Sequence, residues 1–351
     1  MPPERTVLVT GISGNLGTRL LPMLSGFRVV GVDRRPPEGP GAIARFVEMD
    51  LGHEPSCRQM IELLRESGAS SVIHLAFVLD PGRAGVRDEE HMWQTNVAGI
   101  ARVMEAISVV NRTGGHVGQF IFPSSALAYG PDTAGPVKEE SPLRAHTLSY
   151  AIHKRESDEV VRYRAESLGD CRAYILRPPL CTGAGMQNYM VGALSGTPLG
   201  PSKRAARMRA AGKRLPFNLP RAKKYLEKQW QFVHVDDVAR MLGYLLHRPA
   251  TDPMVTTLNV TGRGEPIPLQ RCFEIANTTI RRLPTRGNCR TALRWLWRLG
   301  ISSIPPSALP YLLGSYTMDT TRLQQFLGED HPRIIQHTVE DALRESFNSS
   351  G

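Results

Sequence analysis

The stretch Thr10-Gly11-Ile12-Ser13-Gly14-Asn15-Leu16-Gly17 decides the fold of this chain. The run before it, Thr6–Val9, is apolar and rich in β-branched residues, which is typical of a buried strand. After it, leucines at positions 16, 20, 21 and 24 recur with the spacing of one helix face. A strand, a glycine turn and a helix in this order predict the beginning of a dinucleotide-binding domain.

Each glycine of the turn has its own task in this prediction. Gly11 permits the tight turn, Gly14 lets the backbone approach a pyrophosphate at the helix N-terminus, and Gly17 lets helix and strand pack closely. Pro22 lies inside the predicted helix and lacks an N–H, so we expect a kink or an early end there.

The second predicted strand, 28–32, ends at Asp33, which lies 22 residues after Gly11. A carboxylate at this position accepts hydrogen bonds from ribose hydroxyls and repels a 2′-phosphate, so it favours NAD. Arg34 and Arg35 follow and could pair with such a phosphate, which leaves NADP open as an alternative.

Strand and helix patterns then alternate along the chain. Strands are predicted over 46–51, 71–76 and 119–125, and helices around 60–64 and 91–110. This alternation predicts an α/β fold with a doubly wound parallel sheet of the Rossmann type. Further on we predict a helix over 235–247 with Asp236 or Asp237 as its N-cap, a strand over 257–260 and a helix over 268–280.

The bulk composition narrows the class of protein. The 351 residues, 41% hydrophobic and 22% charged, suffice for one large domain or two interlocked ones. We expect no membrane helix, because no apolar run reaches about 18 residues, and no signal peptide, because the first strand begins at once. The five cysteines are scattered and include no C-x-x-C pair, so they indicate neither a metal site nor a disulfide framework. Free cysteines are typical of a reducing compartment, so we expect the cytoplasm.

The net charge of +10 is concentrated in residues 203–228, which hold ten Lys or Arg and one acid, Glu227. The plainest interpretation is a solvated, mobile lid. The alternatives are a phosphate-bearing substrate, an anionic membrane surface and, last, nucleic acid, for which the chain has no binding motif.

A second polar pattern follows the fifth strand, which ends in Ser124 and Ser125. Tyr150 and Lys154 come next and, four residues apart, share one helix face. Together with the glycine turn, this pattern resembles the extended short-chain dehydrogenases/reductases of the NAD-dependent epimerase/dehydratase superfamily. The resemblance continues through 74–76, 176–178 and 232–239.

The resemblance implies a fold, a cofactor and a dimer. We expect a dinucleotide-binding domain over 1–180, completed by about 231–262, and a smaller C-terminal substrate domain over 181–230 and 263–351. Relatives pack two helices, here near 91–110 and 149–167, into a four-helix bundle, which implies a homodimer. The cofactor contacts that it implies are Gly11, Ser13, Gly14, Asn15, Leu16, Gly17, Asp33, Arg34, Asp50, Leu51, Leu75, Ala76, Phe77, Ser124, Tyr150, Lys154 and Pro178.

The same residues predict a chemistry. Hydride transfer at an alcohol carbon needs a group that takes the proton from oxygen, and a free tyrosine with a pKa of about 10 is a poor base at neutral pH. A lysine ammonium one helical turn away, together with a positive nicotinamide, favours the phenolate. We therefore predict Tyr150 as general acid/base, Lys154 as the group that lowers its pKa and binds ribose, and Ser125 as the orienting donor. The resemblance adds Asn96 as part of a proton relay.

Three departures from the family pattern concern the substrate. Dehydratases of the superfamily carry a Thr-Asp-Glu run where this chain has Ser125-Ala126-Leu127, so water loss is not expected. Sugar-nucleotide epimerases usually carry an asparagine at the position of Leu180 and often an arginine just before Phe232, where this chain has Trp230 and Gln231. These changes favour relatives that act on apolar alcohols, such as the hydroxysteroid-dehydrogenase-like branch, although the basic segment could replace the lost phosphate contacts.

Three hypotheses for the function follow. The first is an NAD-dependent oxidoreductase acting on a secondary alcohol or ketone. The second is a nucleotide-sugar epimerase of the UDP-glucose 4-epimerase kind, with a retained cofactor, and the third is a dinucleotide-sensing scaffold without catalysis. Separately, the basic and aromatic stretch 290–298 predicts a surface helix whose tryptophans cover the substrate domain, in preference to a membrane-surface contact.

Overall fold

The computed structural model describes residues 5–39, 42–79, 89–186, 188–249 and 251–348. The strands are β1 (Arg5–Thr10), β2 (Phe27–Asp33), β3 (Ile43–Glu48), β4 (Ser71–His74), β5 (Gln119–Pro123), β6 (Arg172–Arg177), β7 (Leu180–Thr182), β8 (Phe217–Pro220), β9 (Gln229–Trp230), β10 (Phe232–His234), β11 (Val255–Asn259), β12 (Ile267–Pro268) and β13 (Ile280–Leu283).

The helices are α1 (Asn15–Leu20), α2 (Ser56–Ser67), α3 (Glu89–Trp93), α4 (Gly99–Arg112), α5 (Ser149–Arg164), α6 (Tyr189–Ser195), α7 (Lys203–Ala210), α8 (Val235–Leu245), α9 (Leu269–Ile275), α10 (Arg286–Arg298), α11 (Leu309–Leu312), α12 (Thr321–Leu327), α13 (His331–Ile334) and α14 (Val339–Asn348). A π-helical turn over 94–98 joins α3 to α4, so the long helix predicted over 91–110 is present. Within the described residues, every helix is too short or too polar to cross a membrane.

Seven parallel strands form the central sheet, in the order β11-β6-β5-β4-β1-β2-β3. This order confirms the predicted doubly wound α/β fold. The strand order reverses between β1 and β4, and ligands of such sheets bind at the carboxyl ends of the strands at this reversal. The topology therefore points to the loops after β1 and β4 as the site.

Two apolar cores sandwich the sheet. On one face α2, α4 and α5 cover it, and α2 buries Met60, Leu63 and Leu64 at helical spacing. On the other face α1, α8 and α12 cover it. A third core, around Trp230, holds together a smaller unit that contains α6, α9, α10 and α14.

Pro22 ends α1 early, as predicted. The α-helix stops at Leu20, and a 3₁₀ turn over 21–24 with Pro22 in its first turn carries the chain toward β2. Because proline has no N–H to donate to the preceding turn, the regular helix cannot continue through it.

The prediction of an acidic N-cap for α8 is wrong. The cap is His234, whose Nδ1 accepts a hydrogen bond from the backbone N–H of Asp236 at 3.2 Å. Both carboxylates lie in the first helical turn instead. Asp236 pairs with Arg19 at 2.6 Å, and Asp237 accepts the backbone N–H groups of residues 336 and 337, each at 3.1 Å.

Several predicted boundaries also shift by a few residues. The third strand covers 43–48 rather than 46–51. The helix predicted over 268–280 ends at Ile275, because Asn277 takes a left-handed conformation with φ of 48°. The chain then forms β13, which pairs in parallel with β8.

Candidate active site

A cavity of about 840 Å³ lies at the reversal of strand order and extends toward the smaller unit. Its size is within the range of small-molecule and cofactor sites. Every residue predicted to contact a cofactor lines it, from Gly11 to Pro178, and so do Ser125, Tyr150 and Lys154. The structure therefore brings the two patterns of the sequence, the glycine turn and the tyrosine–lysine pair, into one site.

The glycine turn owes its shape to two positions where no side chain fits. Gly11 has φ of 71°, and a Cβ there would lie 2.5 Å from the backbone nitrogen of Ala76. A Cβ on Gly17 would lie 2.3 Å from the carbonyl oxygen of Ile12, because α1 packs directly on the turn. Gly14 is less confined, since its nearest neighbour would be the Gly11 oxygen at 3.2 Å.

Asp33 is held at the end of β2 by the turn itself. Its carboxylate accepts the backbone N–H of Ser13 at 3.0 Å and that of Arg34 at 2.7 Å. The Ser13 hydroxyl donates to the carbonyl of Arg35 at 2.6 Å, which ties the first turn to the loop after β2. A carboxylate fixed in this orientation in the cavity wall can accept hydrogen bonds from the hydroxyl groups of a ribose.

The phenol of Tyr150 lies at the junction between the sheet and the smaller unit. Burial raises the pKa of Tyr150 above its ordinary value, and a hydrogen bond with Ser125 acts in the opposite direction but is the weaker effect. Ser125 caps a short 3₁₀ turn, in which its Oγ accepts the N–H of Leu127 at 3.1 Å. This bond fixes the serine hydroxyl, and Ser125 and Tyr150 line the same cavity.

Lys154 lies one helical turn after Tyr150. Its Nζ donates to the carbonyl of Pro123 at 2.7 Å and lies 3.6 Å from the ring centre of Phe77. Burial lowers the pKa of Lys154 to about 7. The Nζ is 5.9 Å from the centre of the Tyr150 ring. Burial is the largest influence on the pKa of Tyr150, and a lowering of that pKa by Lys154 stays a prediction.

Asn96 is absent from the described lining of the cavity. The Asn96 side chain makes two hydrogen bonds with the backbone of Val78. The amide oxygen accepts the N–H of Val78 at 2.6 Å, and the amide nitrogen donates to the carbonyl of Val78 at 3.0 Å. His153 Nδ1 lies 3.3 Å from the same amide nitrogen. The observed contacts hold the segment after β4 in place, and a part in proton transfer stays a prediction.

The half of the cavity that faces the smaller unit, called the substrate half below, is apolar, and of its walls the sequence analysis singled out Leu180 alone. They are formed by Leu79, Leu127, Leu148, Pro179, Leu180, Met186, Tyr189 and Met190. The polar atoms of Asn188 are used locally, because its side chain caps α6 and bonds the carbonyl of Cys181 at 2.7 Å. These side chains come from four separate segments, and apart from Leu180 no local pattern marks them.

The basic segment does not contribute to the site. Among the described residues that line the cavity, the cations are Arg34, Arg35 and Lys154, and none of the ten from 203–228 is included. The expectation that this segment replaces lost phosphate contacts is therefore not met in this conformation.

Comparison with known proteins places the chain in a family. The sequence profile of the NAD dependent epimerase/dehydratase family matches residues 7–261. The chain belongs to this family. That assignment confirms the resemblance drawn from the glycine turn and the tyrosine–lysine pair.

Individual relatives are more distant. A UDP-glucose 4-epimerase of Erwinia amylovora is 31% identical over 184 residues, which are 49% of this chain and 52% of the relative. An uncharacterised epimerase/dehydratase of Staphylococcus saprophyticus is 24% identical over 198 residues, 53% of this chain and 58% of the relative. The chain thus matches about half the length of these curated relatives.

Solved structures share the fold over the whole chain. The UDP-glucose 4-epimerase of Thermus thermophilus in complex with NAD is 19% identical with a TM-score of 0.67, covering 99% of this chain and 100% of that one. MoeE5 in complex with UDP-glucuronic acid and NAD is 21% identical with a TM-score of 0.66, covering 98% of each chain. At such identities the likeness extends to the fold alone.

Proposed function

We propose that this protein is an NAD-dependent oxidoreductase that transfers hydride between the cofactor and a secondary alcohol or ketone. The observation that carries this proposal is the apolar wall beside Tyr150, built from residues such as Leu127, Leu180 and Met190. An apolar site with one positioned phenol and one serine hydroxyl suits a substrate with a single reacting oxygen on a hydrophobic frame.

The residues of the nucleotide half fit NAD. The turn at Gly11 leaves a cradle that a Cβ would fill, and the carboxylate of Asp33 favours free ribose hydroxyls over a 2′-phosphate. Arg34 also lines the cavity, so NADP is the alternative ligand. When bound, NAD supplies hydride acceptance in its oxidised form, together with a positive charge on its ring.

Three side chains of this protein would handle the proton. Tyr150 takes the proton of the alcohol oxygen during oxidation and returns it during reduction. Ser125 fixes the same oxygen by a hydrogen bond, which orients the reacting carbon. Lys154, which the structure anchors on the carbonyl of Pro123, adds positive charge near the phenol when it is protonated.

A second candidate is a nucleotide-sugar epimerase that retains its NAD. The match to the Erwinia amylovora UDP-glucose 4-epimerase favours it. Against it stand Leu180, which cannot donate a hydrogen bond to a diphosphate, and the absence of Lys or Arg from the described substrate walls. The two candidates share Tyr150 but differ in whether the cofactor leaves after each turnover.

Mass spectrometry of nucleotide retained by the purified, desalted protein separates the candidates. An empty protein that binds added NADH reversibly and oxidises or reduces members of a panel of apolar alcohols and ketones supports the oxidoreductase. Stoichiometric retained NAD with interconversion of UDP-sugars supports the epimerase instead. Retained NADPH would contradict the cofactor assignment from Asp33.

We also propose a homodimer through α4 and α5, on the basis of the family resemblance. Tyr163 on α5 is 88% exposed in the isolated chain, which leaves an aromatic side chain at this face for a partner to cover. Sedimentation equilibrium should give twice the monomer mass, and Tyr163→Glu should lower the association constant. A monomer at all concentrations would contradict the proposal.

A further inference from the structure

The smaller unit carries a second conspicuous surface, outside the cavity. Residues 275–318 contain six arginines and neither Asp nor Glu. The structure joins this stretch to the basic segment 203–228. The N–H of Ser202 bonds the carbonyl of Gly300 at 3.0 Å, and that of Arg221 bonds the carbonyl of Leu283 at 2.8 Å. Two basic stretches that are separate in sequence therefore form one edge of the molecule.

Most of these cations lack a carboxylate partner. In the described parts of the chain, the basic segment forms two ion pairs, Lys223 with Glu227 at 4.0 Å and Lys228 with Asp132 at 2.9 Å. Over the same residues, α10 and the first turn of α7 form none. An edge with this many unneutralised cations has a strong positive potential and attracts anionic surfaces.

Exposed hydrophobic side chains are concentrated at the same edge. Seven large hydrophobic residues of the described chain are exposed, and four of them lie between 280 and 299: Ile280, Trp295, Trp297 and Leu299. Trp295 is 58% exposed and Trp297 48%. About half of each tryptophan is therefore open to solvent, and the expectation that these side chains cover the substrate domain is met only in part.

The placement of the indoles follows from the helix. Cys289 and Leu293 of α10 are buried in the core of the smaller unit, which fixes the rotation of the helix. At 100° per residue, Arg294 and Arg298 then point outward, with Trp295 and Trp297 on opposite flanks of that row. The outward surface alternates guanidinium and indole groups, and the first turn of α7 borders it through Ser202 and Gly300.

We propose that this basic–tryptophan surface, formed by Lys203, Arg204, Arg294, Trp295, Trp297 and Arg298, binds the surface of an anionic phospholipid bilayer. Indole rings settle at the level of lipid headgroups, and Lys and Arg attract anionic headgroups. The exposed aliphatic chains of Ile280 and Leu299 favour a bilayer over nucleic acid, because bases stack on aromatic rings but not on aliphatic chains. The contact is peripheral and independent of the proposed catalytic function.

Flotation of the full-length protein with vesicles tests this inference. We expect binding to vesicles of equal parts phosphatidylglycerol and phosphatidylcholine, weakening as salt is added, and little binding to phosphatidylcholine alone. Arg294→Glu with Arg298→Glu should lower the partition coefficient at least about twenty-five-fold, since each of the two lost positive charges costs about a factor of five and the two added negative charges are repelled by the same lipids. Trp295→Ala with Trp297→Ala should lower it about tenfold.

Matched controls lie elsewhere on the surface. Trp93→Phe alters a partly exposed indole that bonds Glu156, and Arg58→Glu reverses an exposed charge on α2. Both variants should bind vesicles like the parent. Because all substituted side chains are exposed, thermal melting should show that every variant remains folded.

Three results would overturn the proposal. The first is no binding to anionic vesicles at low salt. The second is equal binding by the parent and the double tryptophan variant. The third is tighter binding of a single-stranded oligonucleotide than of vesicles, lost in the same variants, which would assign the surface to nucleic acid.

Discussion

The two halves of the cavity are built from different parts of the chain. The shape of the nucleotide half depends on the backbone. Gly11 takes a positive φ, Gly11 and Gly17 lie against neighbouring main chain with no room for a Cβ, and Asp33 is held by a main-chain N–H group. The substrate half is a side-chain structure, whose walls come from segments near 79, 127, 148 and 179–190. A substitution at one of these glycines disturbs the backbone of the turn, whereas a substitution in the apolar walls changes which ligands the cavity accepts.

This difference explains why one half follows the family and the other departs from it. Few residues permit a positive φ or a sub-van-der-Waals approach, so the nucleotide half tolerates little change. An apolar wall accepts many side chains of similar volume. Leu180 can therefore stand where epimerases place asparagine without disturbing the fold.

The largest effect is expected where the two halves meet, at Tyr150. Tyr150→Phe removes the hydroxyl that handles the proton, so the rate of hydride transfer should fall about a hundred- to ten-thousand-fold. The affinity for NADH, measured by fluorescence titration, should change little, because the nucleotide half is untouched. Full turnover in this variant would contradict both proposed reactions, and NADH binding without turnover of any substrate by the parent would favour the sensing scaffold.

The next largest effect tests the backbone character of the nucleotide half. In Gly11→Ala the new Cβ would lie 2.5 Å from the backbone nitrogen of Ala76, at a position whose positive φ already disfavours alanine. Gly68→Ala is the matched control, since Gly68 has φ of 61° and nothing within 4 Å of an added Cβ. We expect Gly11→Ala to lower the free energy of unfolding by at least about 2 kcal/mol more than the control, and to abolish NADH binding. Equal destabilisation in denaturant melts would show that the close approach is unimportant.

A smaller effect concerns the burial of Lys154. With a pKa of about 7 in the folded protein, against 10.5 in the unfolded chain, the lysine binds more protons when unfolded between about pH 7 and pH 10. Stability of the cofactor-free protein should therefore rise with pH in this window, relative to Lys154→Met, by up to about 1.4 kcal/mol per pH unit. Urea melts across the window measure the slope. Exposed Lys213→Met serves as control, and parallel profiles for the parent and Lys154→Met would refute the prediction.

The smallest effect concerns cofactor choice at Asp33. Asp33→Asn removes the charge that repels a 2′-phosphate but keeps a polar side chain of the same size. The ratio of the dissociation constants of NADPH and NADH should fall about tenfold, a change of about 1.4 kcal/mol. Glu62→Gln, on the exposed face of α2, should leave the ratio unchanged. A parent protein that already prefers NADPH would reverse the assignment.

The sequence predicted the sheet and the nucleotide half because both depend on local rules. Glycine spacing, a strand-end acid and the four-residue step from Tyr150 to Lys154 are visible in the chain itself. The helix cap at His234 was missed because histidine is not among the usual capping residues, while two usual ones follow it.

Other features depend on tertiary packing and leave no local signal. The Leu127, Leu148 and Met190 walls meet only after the smaller unit folds onto the sheet. The exposure of Trp295 and Trp297 depends on which side of α10 packs inward, and that is set by Cys289 and Leu293. The pKa of Tyr150 depends on burial, which spacing along a helix does not reveal.

The pairing of β11 with β6 has a consequence for how the protein can be divided. The edge strand β11 comes from residues 255–259. Two helices that cover one face of the sheet also lie after residue 180: α8 precedes β11 in the chain, and α12 follows it. A fragment ending at residue 180 would expose the unpaired edge of β6 and uncover that face. We therefore expect the chain to melt in a single cooperative transition. We expect the fragment 1–180 to aggregate when it is expressed alone.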